Sequence, residues 1–293
     1  MTPRDKEKRQ GLIWLMRRGP HIALLCVIAL VIGLGFLFSI DAPLAQEFDK
    51  RFAAHNPNSG QKVDHSAWDR LLSTYVHRDK NGLNRVDYAG LKRDGLGDLK
   101  RYLRRLQAVD PAKLSRDEQF AFWTNLYNAK TVEIIIGHYP VNSIRDIRPN
   151  NALIPGPWRA KVLKVTGASL SLDDIEHAIM RPIWRDPRIH YVVNCAAVSC
   201  PNLADRAYTA SALEGMLENA AMAYINSPYG VRFNGSKAVV SSLYDWYSSD
   251  FGGSAPRILA HIRKYAGPAL ADKIAGVTQI AGYEYDWALN DRK

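Results

Sequence analysis

The chain has 293 residues, 47% of them hydrophobic and 23% charged, with a formal net charge of +10. This is ordinary globular material, enough for one sizeable core, and it shows no repeat, low-complexity tract, Gly-rich phosphate loop or dinucleotide fingerprint. The basic residues form no dense run interleaved with aromatics, so nucleic acid is not expected as a partner; an anionic surface such as lipid headgroups or an envelope polymer suits the charge better.

Arg4, Lys6, Lys8, Arg9, Arg17 and Arg18, against Asp5 and Glu7, precede HIALLCVIALVIGLGFLFSI from His21 to Ile40, which contains no Asp, Glu, Lys or Arg. That length suits a membrane-spanning helix, and a basic flank on its N-terminal side places the residues after Ile40 outside the cytoplasm. The expected organisation is a basic cytoplasmic tail over 1–19, a transmembrane anchor or signal segment over 20–40, a linker over 41–66 containing HNPNSGQ, and one extracytoplasmic domain over 67–293. Pro43 fits poorly before a cleavage site near Ala45. The expectation is therefore a single-pass protein of the inner (cytoplasmic) membrane, held through residues 21–40, with a secreted or periplasmic domain after cleavage as the alternative.

Ser66 is placed to cap a helix over AWDRLLSTYVHR, and Asn81-Gly82 marks a turn. Leu96, Leu99, Leu103 and Leu106 give a second helix one apolar stripe, with Lys100, Arg101, Arg104 and Arg105 on its solvated face. Ser115 and Glu118 read as a capping box ahead of FAFWTNLYNAKTVEIII, a helix apolar nearly all round and hence central. On it Asn125 and Asn128 share a face; they either tie down neighbouring loops or line a cleft. The irregular stretch through Pro149, Asn150, Asn151, Pro155, Gly156, Pro157 and Trp158 has the length of a lid or binding loop.

A short strand comes next, around Leu163 to Val165. Ser171 then caps a helix whose first turn carries Asp173 and Asp174 and which Pro182 is expected to end. RIHYVVN, from Arg188 to Asn194, reads as a strand. A helix over 212–226, a hairpin at Asn234-Gly235, a helix between Pro256 and Gly267 and a last strand in QIAGYEYDWAL complete the chain. The fold class is α+β: helices around a small, mostly antiparallel sheet, preceded by one N-terminal apolar helix.

The strings AFWTNLYNA, SLDDIEHAIMRP and DPRIHYVVNCAAVSCP resemble the domain of unknown function 547 family over about Trp68 to Asn226, and LYDWYSSDFGG is similar to exported bacterial members. The resemblance implies interest in Trp123, Asn125, Tyr127, Asn128, Glu176, His177, Arg188, His190, Cys195 and Cys200, and brings no assigned activity. A buried helix followed by strands is also loosely similar to papain- or transglutaminase-like folds. In those the nucleophile sits at the helix start, where this chain has no cysteine.

Three chemistries are open at the cysteine-bearing bend, and the remaining case is two free, inert, buried cysteines. In an oxidising compartment Cys195 and Cys200 can form a disulfide. Cys195 can instead be a catalytic nucleophile with His190 or His177 as base and Asn125 or Asn128 as orienter. On a straight strand, however, His190 and Cys195 point to opposite faces. Zinc on His177, His190, Cys195 and Cys200 matches no standard ligand spacing, so no metal and no cofactor are expected. Arg188 either clamps an anionic group or pairs with Glu176 or Asp186, and Asp245 and Trp246 either wall a binding site or edge the core. The functional expectation is an envelope binding or scaffolding module. The alternative is a thiol-dependent hydrolase or acyl transferase acting on envelope peptide or lipid substrates, with Cys195 as nucleophile.

Overall fold

A computed structural model describes residues 50–149 and 155–292, which belong to one unit running from Phe48 to Lys293. The expected tail and apolar segment, and the linker as far as residue 49, lie outside the described residues. No helix among the described residues is long and apolar enough to cross a membrane.

Helix α1 (Ser66–Tyr75) buries Trp68, Leu71 and Leu72. It stops short of the expected end at Arg78, because Val76–Arg78 forms strand β1, paired antiparallel with β2 (Asn84–Val86). The turn between them is held by Asp79, whose Oδ1 accepts from the Asn81 and Leu83 amides, while Gly82 takes φ +78°. Helix α2 (Leu96–Gln107) buries Leu99, Leu103 and Leu106 as the leucine stripe requires, together with Tyr102; its four basic residues are exposed.

Helix α3 (Arg116–His138) is the axis of the domain, with every residue from Glu118 to Val132 buried. Phe52 and Phe122 meet Trp123 edge to face at 5.2 and 4.8 Å. The expected capping box does not form: Ser115 makes no side-chain cap, and Glu118 accepts from the Val63 amide at 2.7 Å, pinning the incoming chain instead. Tertiary demand for a buried acceptor outweighs the local cap.

Strands β3 (Leu163–Val165) and β4 (Ala168–Leu170) make a second antiparallel pair. Ser171 caps the next helix as expected: its Oγ accepts from the Asp174 amide at 3.1 Å, and Asp174 Oδ2 accepts from the Ser171 amide and hydroxyl. This helix, α4, is π-wound over Asp174–Met180 and α-helical over Arg181–Trp184. Pro182 does not end it; the wider turn precedes the proline, and the helix closes where Arg185 takes φ 52°.

The expected strand over 188–194 is a 3-10 turn, Pro187–Tyr191, followed by irregular backbone. Pro187 fixes φ at the start of the turn and Asp186 caps it by accepting from the Arg188 amide at 2.8 Å. Its β-branched residues pack as core rather than as a pleat: Ile189 and Val192 are buried. The alternation that separated His190 from Cys195 therefore does not apply.

Helix α5 (Leu213–Ile225) leads to β5 (Val231–Asn234) and β6 (Lys237–Ser241), an antiparallel hairpin around Asn234-Gly235 with Gly235 at φ +60°. Helices α6 (Leu243–Trp246), α7 (Ala255–Tyr265) and α8 (Pro268–Ile274) come next, and β7 (Ile280–Glu284) joins β6 in parallel. The class is α+β as expected, but the strands form three small sheets rather than one, the last of them mixed.

Beyond β7 the chain runs back across the domain. Leu289 N–H donates to Asn142 O, Val198 N–H to Ala288 O, Asn290 N–H to Ala196 O and Arg292 N–H to Val86 O, all within 3.0 Å. This return carries Tyr285 and Trp287 onto the cysteine bend.

Candidate functional site

The bend is built by amide side chains. Asn128 on α3 donates to Val192 O and accepts from Asn194 N–H, both at 2.8 Å. Asn194 in turn donates to Pro201 O at 2.7 Å and accepts from Ala196 N–H at 2.9 Å, with Ala196 at φ 63°. Asn125 accepts from Tyr208 N–H at 3.0 Å and donates to Tyr208 O at 2.8 Å. Both asparagines are buried and tie down loops; of the two expected roles, positioning is the one their contacts describe.

Above the bend lies a cleft of about 790 Å³, a size that suits a small-molecule or peptide-segment site. Cys195, Cys200, Glu176, His177 and His190 line it, with an aromatic wall of Trp158, Trp246, Tyr247, Tyr285 and Trp287. Trp246 stacks on Trp287 at 5.5 Å, Tyr285 packs against both and Trp158 meets Trp287, so these four rings form one unit, while Tyr247 packs on the two histidines. The loop expected to bind contributes Pro149, Pro155, Gly156 and Trp158; Asn150 and Asn151 lie outside the described residues. Gly156 is required there: at φ +89° a Cβ would fall 1.8 Å from the Trp158 ring.

Both cysteines are free thiols, and no disulfide is found among the described residues. Cys195 Sγ lies 2.7 Å from Cys200 Sγ and 3.2 Å from the Tyr285 hydroxyl. The hydrogen bond with the Cys200 thiol draws the Cys195 pKa below the usual thiol value; burial opposes this, and the Tyr285 hydroxyl and Ala197 N–H assist it. Burial pushes the Cys200 thiol up, so Cys195 is the more acidic of the two. Replacing Tyr285 with Phe removes one hydrogen bond to the thiolate, about 1.5 kcal/mol, and is expected to slow alkylation of Cys195 about tenfold near neutral pH, as followed by mass spectrometry.

His190 is engaged by two carboxylates and an aromatic ring. Its Nε2 lies 2.7 Å from Asp250 Oδ2 and its Nδ1 3.4 Å from Glu176 Oε1, while Tyr247 stacks on the ring at 4.2 Å. Arg181 chelates the same Asp250 through Nε and Nη2 at 2.6 and 2.9 Å. Burial works against charge on His190, but Asp250 and Glu176 outweigh it and raise its pKa. Burial likewise opposes charge on Glu176, yet His177, His190 and Arg181 hold it at about 2.

These shifts set opposite pH dependences. His190, raised from an ordinary 6.5, contributes stability fully below that pH and loses it as pH climbs through the raised value. Glu176, lowered from 4.5 to about 2, contributes above pH 4.5 and loses this on acidification. Melting temperatures are expected to be highest between about pH 4.5 and 6.5 as far as this network governs them, with the alkaline decline moved to lower pH in Asp250→Asn.

His177 is less constrained. Its Nε2 lies 3.8 Å from Asp173 Oδ1, the partner expected from helical spacing, and its Nδ1 is 3.3 Å from Arg181 Nη1. Arg188 lies apart from the cleft lining, paired with Asp186, Glu214 and Glu218 between 2.6 and 2.7 Å. Asp245 is exposed and not part of the lining, whereas Trp246 is. Among the described residues no cluster of His, Cys, Asp and Glu could hold a metal ion.

Asp250, Arg181, Tyr285 and Trp287 join the site without having been expected there. Asp250 and Trp287 sit in the aromatic strings LYDWYSSDFGG and YEYDWAL, and that local density was the available signal.

Residues 111–225 match the model of a family described as protein of unknown function, DUF547. No curated protein and no solved structure matches the chain. The matched segment holds Glu176, His177, His190 and both cysteines, while Asp250, Trp246, Tyr285 and Trp287 come from beyond it. Over residues 111–225 the chain is similar to the DUF547 family of proteins of unknown function.

Proposed function

We propose that the domain is a thiol-dependent acyl transferase or hydrolase with Cys195 as nucleophile. The observation that carries this reading is a half-buried sulfur on the wall of a cleft, in contact with the Cys200 thiol and the Tyr285 hydroxyl, which draw its pKa below the ordinary thiol value. The thiolate attacks an acyl carbon, the C=O pair moves to oxygen, and collapse expels an alcohol or amine to leave a thioester. His177, the more exposed histidine of the cleft, whose neighbouring carboxylates Asp173 and Glu176 stand off at 3.8 and 3.9 Å, is suited to protonate the leaving group and to activate the water or acceptor that enters next. The aromatic wall suits an acyl chain or an aromatic face of the substrate. The basic N-terminal flank and the His21–Ile40 segment support a membrane tether that presents the cleft to envelope peptides or lipids.

The second reading is a binding or scaffolding module that uses the aromatic wall alone; Trp246, 46% exposed, favours it. An activated ester separates the two. With p-nitrophenyl acetate at neutral pH, the enzyme reading expects a stoichiometric burst and an acetyl group on the Cys195 peptide. Ester release with no acylated Cys195, or no release, leaves the binding module.

A further inference from the structure

Cys195 and Cys200 both line the cleft, one half-buried and one buried. Their sulfurs are in contact, and Cys195 N–H points at Cys200 Sγ at 2.8 Å. The bend between them is held by Asn194 and by Ala196 in the left-handed region, so the pair meets without rearrangement of α3. Acyl transfer forms its covalent bond at Cys195 alone and uses Cys200 only as a hydrogen-bond partner, although the two sulfurs are close enough to react with each other.

We propose that Cys195 and Cys200 act as an attacking and a resolving thiol toward low-molecular-weight disulfides, so that the pair converts reversibly into a disulfide within the cleft. The inference rests on the same accessible Cys195 thiolate as the acyl-transfer reading. In the first step Cys195 Sγ bonds to one sulfur of the incoming disulfide, whose S–S bond breaks and releases a thiolate. That thiolate takes the Cys200 proton. Cys200 Sγ then bonds to Cys195 Sγ and expels the second thiolate. The protein dithiol is oxidised by two electrons and the small disulfide is reduced to two thiols. Cys200, the more buried thiol, suits the second step rather than the first. While the bond persists, the cleft has no nucleophile; a dithiol reductant restores it.

The test treats full-length protein with bis(2-hydroxyethyl) disulfide and maps cysteine peptides by mass, with Cys26 followed separately. Wild type is expected to yield a Cys195–Cys200 linkage with no retained adduct, reversed by dithiothreitol. Cys200→Ser, and independently Cys200→Ala, is expected to trap a stoichiometric hydroxyethylthio adduct on Cys195, and Cys195→Ser to leave Cys200 unmodified. A stable adduct on Cys195 in wild type overturns the proposal. So does capture at Cys200 in Cys195→Ser as fast as at Cys195 in wild type. The wild-type arm needs no variant to fold. A Cys195 that alkylates with iodoacetamide but never links to Cys200 sinks this inference alone; one inert to both reagents sinks the acyl-transfer reading with it.

Discussion

His190→Leu is expected to destabilise the domain by about 3 kcal/mol, a fall in Tm of about 6–12 °C for a domain of this size. The substitution keeps roughly the volume of a side chain that is 1% exposed and, below pH 6.5 where the imidazole is charged, removes the cation facing Glu176, itself 8% exposed. Breaking one partner out of a buried pair costs about 3–5 kcal/mol, because the remaining charge is left uncompensated. The lower end applies because Asp250 keeps Arg181 as a bidentate partner and Glu176 keeps His177 at 3.9 Å. The cause can be separated from lost packing. Glu176→Gln combined with His190→Leu removes the stranded charge and is expected to recover part of the loss in urea denaturation, whereas a simple packing defect makes the double variant at least as unstable as the single one.

Cys195→Ser is expected to abolish the ester burst, taking it from stoichiometric to nil, while the fold is retained. A serine hydroxyl is not ionised by a neighbouring thiol and a tyrosine hydroxyl, so the donors that activate the sulfur cannot activate oxygen at neutral pH. Near-UV circular dichroism checks the fold, since the Cys195 sulfur packs against Tyr285 in the aromatic wall. A variant that still shows a full burst moves the chemistry to another residue.

Much of the frame is readable from local chemistry. The leucine stripe of α2, the all-round apolar α3, the Ser171 cap and the Asn234-Gly235 hairpin each depend on residues close in sequence, and each forms as expected. Where local and tertiary terms compete, local patterns mislead. Ser115 and Glu118 have the spacing of a cap, but Glu118 is used by Val63, 55 residues earlier. RIHYVVN has the composition of a strand, but Pro187 and the Asn128 amide impose a turn and an irregular bend. The same holds at the site. Cys195, Glu176, His177 and His190 are legible within one stretch of the chain. What decides their chemistry is Asp250, 60 residues beyond His190, and Tyr285, 90 beyond Cys195, and no spacing rule connects them.

Whether Cys195 is held as a thiolate in an open cleft is decided by the pH dependence of its alkylation by iodoacetamide. Peptide-resolved labelling is expected to show Cys195 reacting ahead of Cys200, with a midpoint below that of an ordinary cysteine. A Cys195 rate that keeps rising with the midpoint of a free thiol, or labelling of Cys200 first, rules out the activated thiolate.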